Sequence, residues 1–217
     1  MQTLTKQVIE LGLTNRVLTD TQLARLLEGT PQRRHNLVNR AIKAGELLRL
    51  RRGSYLLADQ FRDHPSHPYA LAQAFMPGSY VSFETALAHH DWIPEAVYTT
   101  ACVTPGRKSF EYTHPKYGHF TFSPLALQAG YFLEMVERVQ ISNQTMLIAQ
   151  PFRALMDLVC LRKTEWQGMT WLIDGMRIEY ENLRQITGAD IRTLALVYKQ
   201  KRVNSFLTSL AKELGND

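Results

Sequence analysis

The spacing of apolar and polar residues divides the chain into an early helical stretch, a short alternating stretch, and a long mixed remainder. Leu4, Val8, Ile9 and Leu11 predict a short amphipathic helix ending near Gly12. Thr19 or Thr21 is placed to cap a second helix that runs through Leu23, Leu26 and Leu27 to Gly29. After one tight turn Thr30 caps a third, with Pro31 at the first helical position, where a missing N–H costs nothing. This helix is expected to reach Ala44 and stop at Gly45. Its apolar residues Leu37, Val38, Ala41 and Ile42 mark the buried face and leave Gln32, Arg33, Arg34, Asn36, Asn39, Arg40 and Lys43 mostly outside. Leu47, Leu48 and Leu50, then Tyr55 to Leu57, predict two short strands around Arg51-Arg52-Gly53-Ser54, with Arg49 on the first strand. Helix, helix, helix, hairpin is the order of a winged helix-turn-helix.

Beyond this stretch the periodicity lapses. Residues 59–70 hold two His-Pro steps and predict an extended linker, with a helix at Pro68 to Phe75 at its end. A short strand then enters a helix capped by Ser82, which ends before Pro94. Strand-like runs follow at 97–104 and 106–124, the latter a hairpin turning at Pro115 to Gly118, and again at Met146 to Ala149. The remainder is expected to be helical: from Pro151 through Val159, about Trp166 to Met176, Asp190 to about Gln200, and Val203 to Leu214. The expected fold is therefore α+β. An N-terminal winged helix-turn-helix domain at residues 1–58 and the linker at 59–70 precede a larger mixed α/β C-terminal domain at 71–217 with a helical tail.

Charge sharpens this division. Residues 1–58 carry 10 Lys and Arg against 4 Asp and Glu, a net charge of +6, whereas residues 59–217 carry 15 against 16, a net charge of −1. All of the excess positive charge lies in the first quarter of the chain, as expected for a phosphate-binding reader joined to a second functional domain. Arg pairs with guanine edges or phosphate, Asn with adenine edges, and wing arginines reach the backbone or minor groove. Gln32, Arg33, Arg34, Asn36, Asn39, Arg40, Lys43, Arg49, Arg51 and Arg52 are the candidate DNA-binding residues. The turn Thr104-Pro105-Gly106-Arg107-Lys108 adds Arg107 and Lys108, and the last two helices carry an exposed basic corner at Arg192, Lys199, Lys201 and Arg202.

Other chemistry is sparse. The sequence contains no GxxxxGK[ST], GxGxxG, HExxH or GxSxG motif. Cys102 and Cys160 lie in apolar runs without a CxxC partner and are expected to be buried thiols, with a single disulfide as the alternative. His64 and His67 lack companions at zinc-site spacing. His89-His90-Asp91 is the main catalytic candidate, but adjacent imidazoles point about 100° apart on a helix and do not share one metal. Glu84, Glu111, Lys116 and Asp157 would serve a metal-dependent nuclease if the fold assembled them, whereas Asp157 read alone suggests an ion pair with Arg153 four residues earlier. No apolar run reaches the length of a membrane helix and no signal peptide is apparent, so a cytoplasmic protein is expected. No cofactor and no catalytic residue is assigned.

The segments SYVSFETALAHHDWIPEAVYT, VTPGRKSFEY, GHFTF, MLIAQPFRALMDLV and DIRTLALVYKQKRVNSFLTSLAKEL, in this order behind the winged-helix pattern, resemble the AbiEi family of antitoxins of type IV toxin–antitoxin (abortive infection) systems. The likeness covers nearly the whole chain. The family's usual Pro-Glu-Lys-Ala-Leu-x-Asp helix start stands here as Pro151 to Asp157, with Phe152 in place of an acid. The resemblance implies a transcriptional repressor that binds double-stranded DNA at inverted repeats in its own promoter, with basic surface from both domains. It also implies a countered partner, an AbiEii-like nucleotidyltransferase-type toxin, and it supplies no catalytic residue. The rival readings are a nuclease targeted by a winged helix and a winged-helix adaptor that binds protein.

Overall fold

A computed structural model describes residues 1–215 of the chain. It is a mixed α+β protein of two compact units, Met1–His67 and the chain from Pro68 onward. Among the described residues no helix is long and apolar enough to cross a membrane.

The first unit runs α1 (Thr3–Glu10), β1 (Leu18–Thr19), α2 (Asp20–Leu26), α3 (Pro31–Lys43), β2 (Leu47–Arg51) and β3 (Ser54–Leu57). Thr19 begins α2 with a capping box: its hydroxyl accepts from Gln22 N–H at 3.3 Å, and the Gln22 side chain accepts from Thr19 N–H at 2.8 Å. Thr30 caps α3, accepting from Arg33 N–H at 3.2 Å ahead of Pro31. The three helices close over Leu4, Val8, Leu23, Val38, Ala41 and Leu57. Strands β2 and β3 pair antiparallel with a register shift between Arg49 and Arg51, and β1 adds to the other side of β3, giving the order β1-β3-β2. Strand β1 is a finding of the structure, because its two residues form a strand only by pairing with Tyr55 and Ser54.

The segment expected to cross freely between domains belongs in part to this first unit. Residues 59–61 form one turn of 3-10 helix, Phe61 packs against the core, and Asp63 accepts from Asn15 at 2.8 Å and from Thr14 at 3.2 Å. The boundary falls between His67 and Pro68, where α4 (Pro68–Phe75) opens the second unit.

The second unit is built on a six-stranded sheet of β4 (Tyr80–Val81), β5 (Thr99–Val103), β6 (Phe110–His114), β7 (Gly118–Ser123), β8 (Val136–Ile141) and β9 (Gln144–Ala149), in the order β6-β7-β5-β4-β9-β8. Pairings β4–β9 and β5–β7 are parallel, and β4–β5, β6–β7 and β8–β9 are antiparallel. Phe75 of α4 sets its ring edge-on to Tyr112 and Phe120, covering one sheet face. Two helices follow strands: α5 (Phe83–His89) after β4, and α6 (Pro151–Arg162) after β9, the latter buried at every position from Phe152 to Cys160. The tail holds α7 (Tyr180–Arg184), α8 (Gly188–Ala195) and α9 (Lys201–Leu214).

Four expectations change here. Strand β8 escaped the sequence reading because an edge strand with exposed Glu137, Arg138 and Gln140 has little apolar signal; Ser142 and Asn143, at φ 47° and 59°, make its two-residue turn to β9. Helix between Trp166 and Met176 shrinks to a π-helical turn at Trp171–Gly175, and α7, missed in the sequence, follows it. The helix expected to reach Gln200 ends at Ala195, and the one from Val203 begins at Lys201. Finally, Ser82 makes no cap for α5; its hydroxyl donates to Asp157 at 2.8 Å.

Candidate nucleic-acid interface

The outer face of α3 follows from its helical spacing. Gln32, Asn36, Asn39 and Lys43 fall at i, i+4, i+7 and i+11, one continuous stripe opposite the buried Val38 and Ala41. Gln32, Asn36 and Lys43 are exposed and Asn39 is half-buried. Arg33 and Arg40, seven residues apart and both exposed, flank this stripe. Two i, i+4 hydrogen bonds lie along it: Gln32 Nε2 donates to Asn36 Oδ1 at 3.3 Å, and Asn39 Nδ2 lies 2.8 Å from His35 Nε2. The exposed His35 went unassigned in the sequence, although its spacing from Asn39 places it at the edge of the same face.

Arg34 is placed otherwise than expected. Arg34, Val38 and Ala41 stand at i, i+4 and i+7, so Arg34 begins the buried stripe; it is half-buried and donates through Nη1 to the Gly29 carbonyl at 2.7 Å. The arginine therefore satisfies a carbonyl of the α2–α3 turn. Behind α3 a groove of about 240 Å³ is lined by Asp20, Leu23, Arg34, His35 and Tyr55. Burial raises the Tyr55 pKa above its ordinary value, and the nearby Asp20 adds to the effect.

The hairpin carries the second basic group. The β2–β3 turn is Arg52-Gly53, with Gly53 at φ +75°. The positive φ favours glycine there, and a Cβ would come within 2.9 Å of Asp20 Oδ2, so the Asp20 side chain would have to shift for any other residue. Arg52 is exposed and Arg51 half-buried, and the exposed Arg49 holds its guanidinium 6.0 Å from the Tyr55 ring centre. In the second unit Arg107 and Lys108 are exposed in the turn after β5, which Thr104 shapes by accepting from Gly106 N–H at 3.1 Å.

The other candidates are not brought together. His90 bonds the Ala149 carbonyl through Nε2 at 3.0 Å, His89 stacks edge-on to Tyr69 and His90, and Asp91 takes the left-handed position after the helix at φ 57°. Glu84 pairs with Arg162, Glu111 is exposed on β6, Lys116 lies over the Tyr117 ring, and Asp157 is fully buried. Among the described residues no three of His, Cys, Asp and Glu are grouped to hold a metal ion. A groove of about 510 Å³ lies between Phe83, Tyr98, Thr99, Thr121 and Leu161, and its charged members Glu84 and Arg162 pair with each other.

Asp157 instead anchors the second unit's interior. It accepts from Tyr80 at 2.9 Å, Ser82 at 2.8 Å, Tyr198 at 2.8 Å and Arg153 Nε at 2.9 Å. Arg153, with no exposed surface, also donates to the Glu134 carbonyl at 2.8 Å and to the Tyr80 hydroxyl at 2.7 Å. Burial opposes its charge, but Asp157 and the two tyrosines more than offset that, so its pKa lies above the ordinary arginine value. Burial first and Asp157 second push both tyrosines well above their ordinary pKa, keeping the hydroxyls protonated as donors. Phe152, where the resembled family has an acid, is buried beside Trp92, Met135 and Ile186.

No model of a known protein family matches the chain, and no curated protein matches it.

Proposed function

We propose that the first unit is a winged helix-turn-helix that binds double-stranded DNA, with α3 in the major groove and the β2–β3 hairpin as the wing. The supporting observation is a coincidence of charge and geometry. Residues 1–58 carry a net charge of +6, and four of their ten cations stand exposed on the two features this docking mode uses, the outer face of α3 at Arg33, Arg40 and Lys43 and the hairpin tip at Arg52. Arg33 and Arg40 contact phosphate or guanine, the amides between them face base edges, and Arg107 and Lys108 offer a further phosphate-binding surface. Arg34 is held by the Gly29 carbonyl, and on this reading its main part is to support the turn.

The wider reading rests on the resemblance of the ordered segments to the AbiEi antitoxins. On it, the chain is a non-enzymatic cytoplasmic repressor that binds its own promoter, and the second unit counters a nucleotidyltransferase-type toxin.

The test is fluorescence anisotropy of the full chain on labelled duplex from directly upstream of its own gene, against a scrambled duplex, over a salt series with Mg²⁺ present. The proposal expects selective binding that weakens steeply with salt and leaves the probe intact. Equal weak binding to both duplexes, or a degraded probe, overturns it. Growth rescue of cells expressing an adjacent nucleotidyltransferase-type gene tests the antitoxin function.

A further inference from the structure

The hydrogen bonds already made on the outer face of α3 determine which base edges its amides have left to read. An asparagine amide has two N–H donors and an oxygen with two lone pairs. At Asn39 the amide nitrogen can only donate, so His35 Nε2, 2.8 Å away, accepts, and Asn39 keeps one N–H and its whole oxygen. At Asn36 the oxygen takes one bond from Gln32, leaving one lone pair and both N–H groups. Adenine offers one acceptor at N7 and one donor at N6 in the major groove, while guanine offers two acceptors at N7 and O6. One remaining donor beside a free oxygen fits adenine at both points and guanine at only one.

Resting on the DNA-binding reading above, we propose that Asn39, held by His35, is the specificity-determining residue of α3, and that it selects adenine, with Asn36, which keeps both N–H groups and one lone pair, reading a neighbouring purine of either kind. The second contact follows from spacing. Three residues of helix rise about 4.5 Å, close to one base-pair step of about 3.4 Å. Because Asn39 is half-buried as well as hydrogen-bonded, it reaches the groove edge with little side-chain freedom left to lose. The operator half-site of this protein therefore carries an adenine with a purine on the adjacent base pair, flanked by the phosphates that Arg33 and Arg40 reach.

The experiment is selection of duplexes from a randomised pool by the full chain, followed by affinity measurements on the enriched site. Replacing each half-site adenine by 7-deazaadenine, which removes the N7 acceptor, is expected to weaken binding roughly 5- to 150-fold at the read positions and not elsewhere. Asn39→Ala removes the preference at one position only, while His35→Ala, by releasing the second N–H of Asn39, narrows the preference of adenine over guanine there. Enriched sites without an adenine beside a second purine, or a less than twofold loss with 7-deazaadenine at every position, overturn the inference while leaving DNA binding intact. Failure to retain any duplex even at low salt overturns the DNA-binding reading and this inference with it.

Discussion

The outer-face arginines of α3 in the first unit and Arg153 in the second stand in opposite environments. On α3, Arg33 and Arg40 project into solvent, whereas in the second unit Arg153 has no exposed surface and is surrounded by Asp157, Tyr80, Tyr198 and the Glu134 carbonyl. An exposed cation contributes little to folding and is available to a partner; a buried one depends on every bond around it. Arg34 stands between these cases, half-buried and tied to one carbonyl. Charge alone therefore does not separate a cation free for a partner from one that holds the fold; the direction a side chain leaves its helix does.

The contrast yields a graded set of expected effects. The largest is Asp157→Ala, which strands Arg153 in the core and is expected to destabilise the second unit by about 3–5 kcal/mol, read as a lower urea midpoint. An unchanged midpoint would break the contrast by showing that the buried network carries no more than a surface pair. Next, Thr30→Ala removes the N-cap of α3 and is expected to cost about 1 kcal/mol, and Arg34→Ala roughly 0.5–1.5 kcal/mol, both measured by denaturation of the full chain. A drop in DNA affinity from Arg34→Ala as large as that from Arg33→Ala would return Arg34 to the interface.

Smaller effects follow from burial. Cys160 is pushed up to about 11 by burial and the neighbouring Asp157, and burial raises Cys102 further, so neither buried thiol is a nucleophile near neutrality. A thiol reagent at pH 8 is expected to leave the native protein unmodified and to titrate both thiols after unfolding. The smallest effect concerns His89, whose pKa burial lowers, with His90 adding to it. The unfolded chain takes up this proton at higher pH than the folded one, so its contribution is complete above the ordinary histidine range. It is lost as pH falls through that range toward the folded value. Stability measured between pH 7 and 5 is expected to decline slightly less steeply in His89→Gln.

Where one helix determined its own placement, the sequence was legible. Thr30, Pro31 and the Val38–Ala41 spacing predict α3, and Pro68 and Phe75 bound α4 as expected. The exposure of Gln32, Arg33, Asn36, Arg40 and Lys43 on α3 was legible for the same reason. Where a residue's partner lay far along the chain, the reading failed. Ser82 has the composition of a cap but bonds Asp157, 75 positions away. Strand β1 exists only beside β3, and β8 is a polar edge whose alternation is weak. His35 was overlooked because its use lies in holding Asn39 and not in its own charge. The ion pair of Arg153 with Asp157 was legible from i, i+4 spacing, but its complete burial was not.

The most direct test of the central claim, that exposed cations of α3 hold DNA while buried ones hold the fold, is the Arg33→Ala/Arg40→Ala double variant on the upstream duplex over a salt series. The account predicts weaker binding and a salt slope shallower by about 0.9 for each phosphate that is no longer neutralised, with the urea midpoint shifted by no more than about 0.5 kcal/mol in stability. Unchanged affinity and slope, or weakened binding that merely follows unfolding, would contradict it.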